Sequence, residues 1–188
     1  MSAISFKRLL PLLIIIVALC TRPVTAQTDP ETPTVFVRLA TKGATLQSLD
    51  ASHIVDYDHF VWLELPVEAL AQLDAAGLSY QVYRDPFTLR LGGQSFDPRQ
   101  GDPTLPAGWD RNPGNGPNLH LVQLIGPTRT EWLEELEKAG LEMVQYIHPF
   151  TYIVWGDPAT LNRSTNADFV HWSGDFAPAY RVLPRWRN

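Results

Sequence analysis

The chain repeats part of itself. Residues 67–88 (VEALAQLDAAGLSYQVYRDPFT) align without a gap on residues 130–151 (TEWLEELEKAGLEMVQYIHPFT), and every matched pair stands 63 positions apart, as Thr88 and Thr151 do. The identities include Glu68/Glu131, Leu70/Leu133, Leu73/Leu136, Ala76-Gly77-Leu78/Ala139-Gly140-Leu141, Tyr83/Tyr146 and Pro86-Phe87-Thr88/Pro149-Phe150-Thr151. Helical periodicity explains the leucines. It does not explain Ala-Gly-Leu and Pro-Phe-Thr at the same separation, so one supersecondary unit is used twice. Any fold proposed for the chain must build that unit in two places.

The second copy reads most clearly. LHLVQLI (119–125) alternates apolar and polar residues as a strand does, and Thr128 with Glu131 has the spacing of a capping box opening a helix. Trp132, Leu133, Leu136 and Ala139 fall on one helical face. Gly140 is placed to end the helix in the left-handed conformation, with Leu141 folding back over the last turn. LEMVQYI (141–147) and TYIVW (151–155) are strands parted by Pro149. Asp157-Pro158 opens a short helix, and FVHWSG (169–174) closes the series. The order is β-α-β-β-α-β, the ferredoxin-like arrangement.

The first half follows the same order less regularly. VFVRLA is a strand, TLQSLDAS a short helix or loop, HIVDYD and FVWLEL the middle strands, Pro66 to Ala76 a helix and LSYQVYR the last strand. FTLRLGG is an extra strand or extension. Between the halves, residues 98–118 hold five prolines and four glycines, a spacing that no regular element survives. Trp109 is placed to dock this stretch onto a module. The expected organisation is α+β: a signal peptide over 1–26, a first ferredoxin-like module over 34–97, a linker over 98–118, and a second module over 119–188 ending in an extended tail.

Residues 1–26 read as an export signal. Lys7 and Arg8 precede an apolar run at 9–20 that is short for a membrane span, and Val24-Thr25-Ala26 offers a cleavage site. The alternatives are a retained anchor or a lipid attached at Cys20, against which stands the bulky Leu19. Cleavage removes Lys7, Arg8, Arg22 and no acid, taking the formal net charge from −5 to −8 and removing the single cysteine. The mature chain is therefore expected in the secreted or cell-envelope space, acidic, without thiols, and with no membrane association after signal removal. That charge argues against nucleic acid as a partner. One cysteine also rules out an internal disulfide framework.

No side-chain cluster makes a convincing reaction centre. His53, Asp56, Asp58 and His59 gather four metal-ligand types, but strand alternation divides them between two faces, so a solvated corner is expected. His171, Ser173 and Asp175 share a strand face without a nucleophile turn or Gly-x-Ser-x-Gly. Glu131, Glu134, Glu135 and Glu137 with Lys138 form the solvated side of an amphipathic helix. The expectation is no catalytic residue, no metal and no cofactor. Trp62, Trp132, Trp155 and Trp172 are expected in the core or on sheet faces, and either Tyr152 and Val154 or Ile153 and Trp155 face outward.

The run LVQLIGPTRTEWLEELEKAGLEMVQYIHPFTYIVWG, followed by FVHWSGDFAPAYRV, resembles the N-terminal region of large secreted bacterial subtilisin-like serine proteases. There a strand, Gly-Pro, a helix with Trp-Leu, Gly and Tyr-Ile-Pro lead to a Val-x-Trp-x-Gly-x-Tyr-x-Pro-x-Tyr segment. DYDHFVWLEL and PFTLRLGGQSFDP are similar to the stretch before it. Two departures stand out: His148 interrupts Tyr-Ile-Pro, and Phe176 replaces the usual Tyr. The active-site motifs of the proteases (Asp-Thr/Ser-Gly, His-Gly-Thr-His, Gly-Thr-Ser-x-Ala/Met) do not occur in these residues. The resemblance implies a non-catalytic inhibitor or folding assistant. Its partner would be a subtilisin-like serine protease, with the sheet packed on the protease surface and the tail laid along the cleft as an added strand. The partner-binding residues would be Tyr180, Arg181, Val182, Leu183 and Trp186, with Pro178 and Pro184 excluding helix. The tail has a second reading, in which it wraps its own module and buries Tyr180 and Trp186. The function also has a second reading, a truncated remnant or stand-alone cell-envelope module that binds protein or glycan.

Overall fold

A computed structural model describes residues 33–40, 49–112 and 114–186. The export signal and the first half of TLQSLDAS, residues 45–48, lie outside the described residues. The fold is mixed α+β. Strands β1 (Thr34–Leu39), β2 (His53–Asp56), β3 (Val61–Pro66) and β4 (Tyr80–Tyr83) form one antiparallel sheet in the order β2-β3-β1-β4. Helix α1 (Leu70–Ala75), entered through a 3-10 turn at Val67–Ala69, lies between β3 and β4 in sequence. A hairpin, β5 (Leu89–Leu91) and β6 (Gln94–Phe96), follows. The second sheet contains β7 (Asn118–Leu124), β8 (Glu142–Ile147), β9 (Thr151–Gly156) and β10 (Val170–Asp175) in the order β10-β7-β9-β8. Helices α2 (Thr130–Lys138) and α3 (Pro158–Ser164) are interleaved, and α4 (Pro178–Arg181) follows β10. Counted from each sheet's own first strand, both orders read 4-1-3-2. Among the described residues no helix is long and apolar enough to cross a membrane.

The duplicated unit closes its helix in the same way twice. Leu78 N–H donates to Leu73 O (3.1 Å) and Gly77 N–H to Asp74 O (3.0 Å), and the equivalent pairs Leu141/Leu136 (3.1 Å) and Gly140/Glu137 (2.9 Å) repeat the pattern. Gly77 and Gly140 have φ of 66° and 101°, a region that costs any other residue strain. Both copies then run into an edge strand, β4 or β8. After Pro-Phe-Thr they part. The second copy turns back as β9 and pairs with β8, whereas the first leaves its sheet as β5.

The helix start differs from expectation. Thr128 and Glu131 do not form a capping box: α2 begins at Thr130 after Arg129, and no side chain caps it. The Thr128 hydroxyl instead accepts from Tyr152 OH (3.1 Å), and Glu131 pairs with Arg129. Trp132 and Leu136 are buried as expected, while Ala139 is exposed.

Period-two alternation gives each sheet two apolar faces, and both are covered. Val35, Val37 and Leu39 of β1 and Val61, Leu63 and Leu65 of β3 pack with Ala69 and Leu73 beneath α1. The reverse face of that sheet, Phe36, Val55 and Trp62, joins Phe87 in a cluster with Val122, Leu124, Trp132, Leu136 and Val154 of the second half. The far face of the second sheet, Leu121 and Ile153, is covered by Leu89, Leu91 and Phe96 of the hairpin and by Ala177 and Tyr180.

The expected boundary at 97/98 therefore does not coincide with the packing. Residues 32–188 form one compact unit, and the hairpin sits on the second sheet rather than the first. Among its described residues before β7, the Pro/Gly-rich stretch holds one helical turn, a 3-10 turn at Pro98–Gln100. Its attachments include Asn112 Nδ2, which donates to Leu119 O (2.7 Å), Trp109 O, which accepts from Ala179 N–H (3.0 Å), and Arg99, which pairs with Glu64 (3.5 Å). Exposed backbone of this composition is where proteolysis begins. Limited proteolysis within residues 102–117 is expected to give two bands on a denaturing gel that elute as one species under native conditions. Separation of the fragments would mean that the shared cluster does not hold the halves together.

Candidate functional site

The C-terminal segment is folded, not extended. Pro178 and Pro184 do not exclude helix here; each opens a helical segment, α4 and a 3-10 turn at Pro184–Trp186. At the first helical position a missing N–H costs nothing and the fixed φ suits the turn. The ring of Tyr180 is 8% exposed and stacks on Phe96 at 5.8 Å. Arg181 Nε donates to Phe176 O (3.0 Å), its guanidinium lies 5.3 Å from the Phe176 ring centroid, and Nη2 also donates to Asn112 Oδ1. Pro184 lies so close to Gly93 that a Cβ there would come within 2.9 Å of it. Of the five expected contact residues, Tyr180 and Arg181 are engaged in holding the segment down and Val182 is half-buried, while Leu183 (48%) and Trp186 (68%) stand in solvent.

Beneath this segment lies a polar contact that the sequence reading missed. His120 is buried; its Nδ1 is 3.0 Å from Asp175 Oδ1 and its Nε2 is 3.2 Å from Gly156 O. Both ring nitrogens face acceptors, so the imidazole pins the end of β10 to the neighbouring strands. His171, Ser173 and Asp175 are not assembled into a reactive group: His171 stacks on Phe87 at 3.9 Å, and Asp175 meets His120. Among the described residues no group of three His, Cys, Asp or Glu side chains is arranged to hold a metal ion. Asp58 and His59 stand exposed in the turn between β2 and β3.

Three tyrosines have raised pKa values, Tyr80 through its hydrogen bond to the Asp74 carboxylate and the other two through burial. Burial pushes Tyr180 up to about 12, with the Asp102 carboxylate adding to it. Burial also raises Tyr57, more than the neighbouring Arg129 lowers it, and its hydroxyl donates to Pro127 O. In the unfolded chain all three phenols ionise near 10. Between about pH 10 and 12 the unfolded state therefore binds fewer protons than the folded one, and stability falls as pH rises. The expected result is alkaline unfolding in that window that is weakened in Tyr180→Phe. Tyrosinate absorbance measured alongside denaturant midpoints tests it.

An open contact surface lies at the β8 edge of the second sheet. β8 pairs with β9 on one side only, and its register slips between Met143 and Gln145, releasing Val144. Val144 (52%) and Tyr146 (45%), with Trp155 (43%) on the adjoining strand, are among the few large apolar side chains left exposed. Neither expected pair faces outward as a pair: Ile153 and Val154 are buried, Tyr152 is half-buried, and Trp155 alone is exposed. A signal for this edge exists in the sequence. Met143, Val144, Tyr146 and Ile147 put apolar residues on both faces, more than a strand with one buried face requires.

Residues 90–177 match a family described as Domain of unknown function (DUF8729). The matched stretch runs from β5 through β10, taking in both the second sheet and the hairpin that covers its far face. No curated protein and no solved structure matches the chain.

Proposed function

We propose that the chain is an exported, non-catalytic protein-binding module made of two ferredoxin-like units, acting as an inhibitor or folding assistant of a subtilisin-like serine protease. The 4-1-3-2 order of both sheets and the reuse of one helix–strand unit support the tandem ferredoxin-like description. The observation that carries the binding role is the open β8 edge bordered by Val144, Tyr146 and Trp155. An unpaired strand edge offers a row of backbone donors and acceptors to an extended segment of a partner, and flanking apolar side chains add specificity. The contact differs from the one the resemblance implies. Both sheet faces are covered from within and the tail is folded, which leaves the strand edges for strand addition, and β8 is the edge flanked by Val144, Tyr146 and Trp155.

The test uses the mature chain and a subtilisin-like protease from the same organism, scored by inhibition and by surface plasmon resonance. Val144→Lys and Trp155→Lys are expected to weaken binding about 10-fold or more each, because exposed apolar anchors of this kind contribute about 2 kcal/mol. Hydrolysis of peptide substrates by the chain alone would overturn the non-catalytic reading. Unchanged affinity in both lysine variants would remove the edge from the contact.

A further inference from the structure

The two Pro-Phe-Thr corners of the duplicated unit come together in the fold. A single buried side chain, Gln123, joins them, its Nε2 donating to Phe87 O (3.0 Å) of one corner and to Pro149 O (3.4 Å) of the other. Beside them opens a cavity of about 580 Å³, within the size range of small-molecule sites. Its wall includes Tyr83, Arg84 and Asp85 from the first corner, His148 and Phe150 from the second, and Arg90 from β5.

Three properties of that wall select a ligand. Arg84, Arg90 and His148 make no ion pair or side-chain hydrogen bond among the described residues, so two guanidinium forks stand ready for an oxyanion. Asp85 in the same wall leaves a small positive excess, which suits one negative charge accompanied by hydroxyl donors rather than a polyanion. Tyr83 and Phe150 are both backed by the buried Trp62, at centroid distances of 5.1 and 5.5 Å, so their half-buried rings form a fixed apolar wall. Aromatic faces take up the C–H face of a sugar ring, while carboxylate and hydroxyls meet the polar groups.

We infer that this cavity binds a carboxylated sugar, a single uronic-acid unit with its carboxylate on Arg84 and Arg90 and its ring against Tyr83 and Phe150. The inference does not depend on the β8 edge or on a protease partner. Galacturonic acid, trigalacturonate, galactose and N-acetylglutamate are titrated into the mature chain, followed by calorimetry and by amide shifts of the wall residues. Both uronates are expected to bind, with galactose and N-acetylglutamate at least 10-fold weaker. Trigalacturonate binding more tightly than the monomer would place the sugar within an acidic polysaccharide, and equal affinity would identify the free sugar. Arg84→Ala and Arg90→Ala are each expected to reduce uronate affinity about tenfold or more while leaving thermal unfolding unchanged, since both side chains are exposed. Equal binding of N-acetylglutamate would overturn the sugar, and retained uronate affinity in the arginine variants would overturn the site. So would an absence of uronate binding.

Discussion

Replacing Trp62 with alanine is expected to cost about 3–5 kcal/mol, the range for removing a large aromatic side chain from a core. Its ring is 1% exposed and packs on Phe36, Tyr83 and Phe150 at centroid distances of 5.6, 5.1 and 5.5 Å. Its Nε1 donates to Ile125 O at 3.0 Å, which joins β3 to the chain leaving β7. Against a total stability of roughly 5–15 kcal/mol for a domain, such a loss would leave the chain barely folded. Trp62→Phe keeps most of the contact but strands the Ile125 carbonyl, for about 1–3 kcal/mol. Gly126→Ala approaches the same contact from the other side, because a Cβ there would lie 2.8 Å from Trp62 Cδ1. Alone it is expected to cost about 1–3 kcal/mol by overpacking, and much less once Trp62 is alanine. Urea unfolding of the four-member cycle measures this coupling. Two separate transitions, one unaffected by Trp62→Ala, would show that the halves fold apart.

This seam explains what could and could not be read from the residues. The helix–strand unit was legible because its signals are local: Gly77 and Gly140 end helices through their own backbone, and Leu78 and Leu141 fold back within five residues. Period-two alternation in VFVRLA puts Val35, Val37 and Leu39 on one face, which the fold buries. The same alternation puts Phe36 on the opposite face, but nothing in the sequence says what covers it. Two partners of Trp62, Ile125 and Phe150, lie more than 60 positions away, and no local motif predicts either contact. The hairpin failed for the same reason. Leu89, Leu91 and Phe96 read equally well as an extension of the first module, and only their packing on Leu121 and Ile153 assigns them to the second.

The candidate contact surfaces follow the same division. Tyr180 to Trp186 were read through their prolines as extended, yet proline at the first position of a helix is as favourable as proline in an extended tail. Local chemistry left two outcomes, and the tertiary contact of Tyr180 with Phe96 selected one. Val144 and Tyr146 could have been suspected from apolar residues on both faces of a short strand. Whether that strand lies at an edge is a property of sheet order, which local pattern does not carry.

Removal of residues 179–188 is accordingly expected to destabilise the protein by about 3–5 kcal/mol, not to leave a folded protein lacking an arm. The deletion takes away the buried ring of Tyr180, uncovers Phe96 and Leu91, and removes the bonds from Arg181 to Phe176 O and Asn112. Tyr180→Ala should reproduce most of this cost, whereas Tyr180→Phe keeps the stacking on Phe96 and should lose little. Leu183→Ala and Trp186→Ala act on side chains that stand in solvent and are expected to change stability by no more than about 0.5 kcal/mol. The difference matters for any inhibition assay. Loss of inhibition in a truncated chain follows from unfolding alone and says nothing about a tail in a protease cleft. The discriminating variants are Leu183→Ala and Trp186→Ala, which preserve the fold while removing the exposed side chains a cleft could take. If their inhibition matches that of the intact chain while Val144→Lys loses it, contact lies at the sheet edge. If instead they lose inhibition at unchanged denaturant midpoint, the segment contributes directly to binding, and α4 serves to hold Leu183 and Trp186 in place.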